Sequence, residues 1–238
     1  MNNFSFEKWD NNKYTEYISY MKSISDSEYL KFNKKLVFTD YKMMGVKTSL
    51  LRTLAKDISK GDIISFLNIS NHEYYEEILV FGFVIGYIKD LDIFMKYFNK
   101  FIRYIDNWAV CDMCISSMKI VKKNKDYFFK LINKYVIDSN PYVVRVGTIL
   151  LLDYYIDDEY IDKIFYIIDN INREEYYINM SIAWLVSICF IKYRNKTLEY
   201  LKNCKLNKFT YNKALQKSRE SLRVSPEDKI LLQSMKIK

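Results

Sequence analysis

The feature that most limits the fold is a rhythm. Signals that start helices recur at His72-Glu73, Asp106-Asn107, Asn140-Pro141, Asn172-Arg173-Glu174 and Phe209-Thr210, about 33 to 37 residues apart. Asn140 followed by Pro141 reads as an N-cap with proline at the first helical position, where its missing N–H costs nothing. Each interval holds a long apolar stretch and a shorter one, as in PYVVRVGTILLLDYY (141–155) followed by YIDKIFYIIDN (160–170). A helix pair of this kind cannot bury its apolar side alone, so successive pairs must stack. The pattern predicts an all-α chain, an α-solenoid of about six helix pairs forming one domain over 1–238. The period also suits tetratricopeptide repeats, but their W-x2-L-G-x2-Y signature is absent, and HEAT-like pairs describe the chain better.

Five Gly and two Pro in 238 residues agree with this, because sheets and barrels use both freely in turns. The longest apolar run, ILVFGFVIGYI (78–88), is far shorter than the roughly 18–20 residues that span a bilayer. The N-terminus lacks a basic segment followed by an apolar one. A soluble, cytoplasmic protein with no membrane role is expected. Gly82 and Gly86 read as points of close helix packing in a soluble core.

Several chemistries are closed by composition. The chain has one histidine, His72, so Ser-His-Asp and Cys-His mechanisms and most catalytic zinc sites lack their imidazoles. Cys111-Asp-Met-Cys114 is half of a zinc motif with no second half, and no metal is expected. The four cysteines read as reduced thiols. No glycine-rich phosphate loop is present. Carboxylate chemistry or plain binding remains.

The formal net charge is +8, and it is segregated. Residues 117–134 carry six lysines against Asp126, and 204–223 carry Lys205, Lys208, Lys213, Lys217, Arg219 and Arg223 against Glu220. Residues 138–175 carry nine acids and three bases. Such segregation fits either solvated helix faces or a basic surface that follows phosphates with the acidic helices turned to solvent. The 22 tyrosines and 15 phenylalanines read mostly as core.

Within DNWAVCD (106–112), Trp108 and Asp112 are four apart and so share a helix face. Arg145 follows Asp112 by one repeat, and Trp184 lies in MSIAWLVSICF. Taken singly, each has an ordinary reading: the indoles as core aromatics, Asp112 as an acid favoured near a helix N-terminus, Arg145 as a partner of Asp153 or another acid. Taken in order, Trp108, Asp112, Arg145 and Trp184 resemble the AlkD-like DNA alkylation repair enzymes, HEAT-like-repeat glycosylases of 3-methyladenine and 7-methylguanine. GVKTSLLRTLAKDI (45–58), with Lys47 and Arg52, is similar to an early helix of that family. FTYNKALQKSRESLRVS (209–225), with Lys213, Lys217 and Arg219, is similar to its closing one.

The resemblance implies a monofunctional glycosylase without cofactor. It would act as a monomer on duplex DNA and cleave the lesion while it is still stacked. An N-alkylated purine is a cationic, good leaving group, and what needs help is the oxocarbenium-like sugar. Asp112 would stabilise that charge and orient water, Trp108 and Trp184 would offer their faces to it, and Arg145 would hold a phosphate. Lys47, Arg52, Lys213, Lys217 and Arg219 would bind DNA. The resemblance further implies a DNA-facing helix within 26–44, although the stretch between SEYLKFNKKL and MMGVKTS reads as a loop. A HEAT-like binding module without chemistry is the competing expectation, and a basic helix in 26–44 is the feature that separates the two.

Overall fold

The computed structural model describes residues 3–238, and every regular element among them is a helix; one isolated bridge pairs Lys42 with Tyr74. The chain divides into two compact units between Lys123 and Asn124. The first holds α1 (Asn11–Ser23), α2 (Ser27–Leu36), α3 (Thr48–Ile58), α4 (Ile63–Ile69), α5 (Tyr75–Ile85), α6 (Leu91–Phe101), α7 (Trp108–Ile115) and the single turn α8 (Ile120–Lys123). The second holds α9 (Lys125–Tyr135), α10 (Pro141–Tyr154), α11 (Ile161–Asp169), α12 (Tyr176–Lys192), α13 (Arg194–Asn203), α14 (Lys208–Glu220) and α15 (Pro226–Ser234).

The rhythm read from sequence is the rhythm of alternate helices. α5, α7, α10, α12 and α14 begin at residues 75, 108, 141, 176 and 208, steps of 33, 33, 35 and 32. Short polar side chains set several of these starts. Asn107 accepts from the Val110 amide at 2.9 Å, Asn140 from Tyr142 at 2.9 Å ahead of Pro141, and Asn207 from Thr210 at 2.8 Å. Each satisfies an amide that the first helical turn leaves without an intrahelical acceptor.

In the first unit α5 packs against α3, α6 and α7, and all eleven of its residues are buried. It holds the first eight residues, 78–85, of the apolar run, with Gly82 among them. A Cβ there would lie 2.6 Å from Cys114 Sγ on α7 and 2.7 Å from the Phe101 ring on α6. Only hydrogen at this position lets α6 and α7 come that close. Trp9 belongs to a separate core cluster, 4.9 Å from the Phe66 ring and 5.9 Å from Tyr17.

In the second unit α12 packs between α10 and α14, with α9, α13 and α15 on their partners α10, α12 and α14. Small hydroxyls replace bulk where α10 meets α12. Thr148 Oγ1 lies 2.7 Å from Ser181 Oγ, and both residues are buried. No helix among the described residues is long and apolar enough to cross a membrane.

Candidate functional site

Trp108 is the first residue of α7 and Asp112 lies one turn on, and both are half-buried. Neither is a core residue, which sets Trp108 apart from Trp9 at 3% exposure. Its Nε1–H donates to the Leu36 carbonyl at 3.1 Å, in the last turn of α2, where helix geometry leaves carbonyls unpaired. The indole edge is thereby fixed.

The residue beside the tryptophan completes the attachment. Asp106 Oδ2 accepts the Thr39 hydroxyl at 2.6 Å and the Asp40 amide at 2.8 Å, while Oδ1 accepts the Asn107 side-chain amide at 2.6 Å. Sequence reasoning took Asp106 only as part of a helix start. Its partners lie 66 and 67 residues away, and no short-range pattern carries that information.

Residues 37–42 form a loop, as the sequence suggested, and 27–36 form the helix α2. Asp26 caps it, accepting the Glu28 and Tyr29 amides at 3.0 Å each. α2 carries exposed Lys31, Lys34 and Lys35. It also leaves Phe32 59% and Leu36 46% exposed, with Phe38 beyond it at 69%. A basic helix with bare apolar side chains therefore stands next to Trp108.

The chain returns from this loop through a turn built on a buried carboxylate. Glu76 accepts the amides of Met44, Gly45 and Val46 at 2.9, 2.7 and 3.3 Å. Burial raises its pKa, and the three N–H groups work against that rise. Gly45 has φ +90°, and a Cβ would meet Leu30 Cβ at 2.7 Å, so this turn requires glycine. It delivers Lys47 to the start of α3, where its ammonium pairs with Asp26 at 2.9 Å. Hydrogen bonding to Lys47 holds the Asp26 carboxyl below the usual range. One turn into α3 is Arg52, exposed, with its guanidinium 4.2 Å over the Phe83 ring and Nη2 donating to the Met113 carbonyl at 3.1 Å. Arg52, Asp112, Trp108 and the end of α2 thus belong to one neighbourhood of the first unit.

The second unit holds the other expected residues. Arg145 on α10 is 4% exposed and donates through Nη1 to the Tyr177 carbonyl in the first turn of α12. Almost none of its surface is open. Trp184 lies two turns further along α12 and is half-buried, again unlike a core indole. On α14, Lys213 bonds Gln216 at 2.8 Å and lies 5.9 Å from the Phe209 ring; Lys217 and Arg219 are half-buried. The Arg219 Nε is buried without a hydrogen-bond partner.

The protein's lone histidine has no part in this arrangement. His72 packs 3.9 Å from the Tyr104 ring and 4.8 Å from Phe81, and burial lowers its pKa to about 4, assisted by Lys100. Cys114 is fully buried under Leu79, and burial pushes its thiol far above the ordinary value.

Compared with known families, residues 8–225 match the model described as DNA alkylation repair enzyme. Curated proteins offer no match to the sequence.

Proposed function

Because the chain belongs to the DNA alkylation repair enzyme family, we propose that it is a monofunctional glycosylase of cationic N3- and N7-alkylated purines in duplex DNA, leaving an abasic site. The observation that carries this reading is the pair on α7. A carboxylate and an indole stand one turn apart, both partly open, with the indole edge fixed by the Leu36 carbonyl. Such a pair suits a sugar that becomes positive while its base leaves neutral.

In this reading Asp112 is the fixed negative charge facing the oxocarbenium-like sugar, and it orients the attacking water. Trp108 and Trp184 offer π faces, each worth about 0.5–2 kcal/mol to a nearby cation. The leaving group needs no acid, so His72, neutral and packed between rings, is not called upon. Arg145 meets a phosphate through the little of its surface that is open, and the carbonyl bond to Tyr177 limits the freedom lost on binding. Arg52 on α3 and Lys213, Lys217 and Arg219 on α14 follow the backbone, and Lys47 joins them while shared with Asp26. The protein acts as a monomer, without cofactor.

α2 supports catalysis over plain binding. Three lysines with Phe32, Leu36 and Phe38 beside Trp108 can press on a groove at the lesion. The test is incubation with duplex containing 7-methylguanine, followed by alkali and a search for strand scission. Scission by wild type and a fall of about 10²–10³-fold in Asp112→Asn is expected. Duplex binding without any base release by wild type would overturn the glycosylase and leave a binding module.

A further inference from the structure

A shallow site on the second unit is lined by none of the residues assigned above, although Lys213 lies 5.9 Å from its Phe209 ring. The N-terminal ends of α10, α12 and α14 carry a line of rings. Tyr142 is 6.1 Å from Tyr177, Tyr177 is 5.3 Å from Tyr176, and Tyr176 is 5.8 Å from Phe209. Tyr176 is 56% and Phe209 43% exposed, so apolar ring surface is left to solvent where the core does not need it. These two rings help to line a depression of about 370 Å³, together with Glu174, Asn179, Asn207 and Lys208. That volume falls within the roughly 300–1,000 Å³ usual for small-ligand pockets.

Its floor contains an unusual group. Asn179 is 4% exposed, and its side chain makes a single long contact, accepting from Asn207 Nδ2 at 3.4 Å. Its own amide nitrogen has no hydrogen-bond partner among the described residues. That nitrogen is not among the buried unpaired polar atoms, so it is open to an acceptor that enters the depression. Rings above, an amide donor below and a carboxylate, Glu174, at the rim form a set that matches a purine. Any base has a π face to stack, adenine and guanine offer ring nitrogens to an amide, and both offer an amino group to a carboxylate.

We propose that the depression between the N-termini of α12 and α14 binds an unpaired purine of DNA, stacked on Tyr176 or Phe209 with its edge held by Asn179 and Glu174. This rests on DNA being the partner, which family membership supplies, and not on glycosylase chemistry. The centroids of Tyr176 and Phe209 are too close for a base to slide between them, so stacking is on one face. The site serves strand regions where a base has left its partner, such as those flanking a distorted or abasic position.

The experiment uses the full chain and a single-stranded thymidine oligonucleotide carrying one central 2-aminopurine, whose fluorescence falls when it stacks. Wild type should quench it. Tyr176→Ala and Phe209→Ala should each weaken binding by about tenfold, and Asn179→Leu, which keeps volume but removes the amide, should weaken it without loss of helicity. Both rings are exposed, so their truncation leaves the core intact, and circular dichroism and melting verify this. Unchanged fluorescence with wild type, or equal quenching by a folded Tyr176→Ala/Phe209→Ala double variant, would overturn the proposal. Base release from methylated duplex is scored separately. Release without quenching removes only the purine site, and quenching without release removes only the glycosylase.

Discussion

Replacing Asp106 with alanine tests how the first unit holds α2 against α7. The carboxylate accepts the Thr39 hydroxyl at 2.6 Å and the Asp40 amide at 2.8 Å. Hydrogen bonds to charged groups contribute about 1.5–3 kcal/mol each, and Asp106 is only half-buried, so water recovers part of the loss. About 2 kcal/mol for the pair is a reasonable net figure. Opening of the 37–42 loop should become easier by that amount, which is about 30-fold in population. The direct readout is residue-resolved hydrogen exchange, in which the Asp40 amide should exchange about 30-fold faster in Asp106→Ala and by an intermediate factor in Asp106→Asn. With the loop released, the Trp108–Leu36 bond loses its neighbouring anchor and the tryptophan emission should shift. Base release should slow by up to about 100-fold, the scale of a misplacement near 1 Å. Wild-type exchange at Asp40 in the alanine variant would refute the reasoning, because it would mean that the loop is held by something other than this carboxylate.

His72, with its pKa lowered to about 4 against an ordinary 6.5, is neutral in the fold, so the unfolded chain gains a proton that the native one refuses as pH falls. Stability should therefore drop between pH 6.5 and 4, by about 2 kcal/mol after discounting for solvent screening; urea midpoints at pH 7 and 4.5 measure it, and the single imidazole resonance gives the titration directly. Gly82→Ala should destabilise by about 1–3 kcal/mol in urea, since its methyl would overlap Cys114 and Phe101; a stabilised variant would mean that α6 and α7 can move apart cheaply. If Lys213 and Lys217 follow phosphates, each Lys→Ala should reduce the slope of log K against log salt for duplex binding by about 0.9, and an unchanged slope would remove them from the interface.

Periodicity made the fold legible because it is a property of neighbours along the chain. Asn107, Asn140 and Asn207 cap the helices whose starts the rhythm marked, and most of the apolar run at 78–88 lies in α5 with Gly82 at its closest approach. The site was legible only as residue types. Trp108 and Asp112 were found because one turn of helix joins them, whereas the groups that give this pair its surroundings come from far along the sequence. Leu36 is 72 residues from Trp108, Thr39 is 67 from Asp106, and Arg52 is 61 from Met113. Contacts at such separations leave no period, and Asp106, Asn107 and Arg52 belong to residue types that caps and solvated faces use everywhere. Charge was legible in the same limited way. The lysines of 25–49 were visible as residue types, but Lys47 is matched by Asp26 and Lys31 by Glu28, while Lys34 and Lys35 stand exposed on α2. Which cations remain for a phosphate is decided by the fold that surrounds them, so a basic segment read from sequence sets only the upper limit of the charge that DNA can meet.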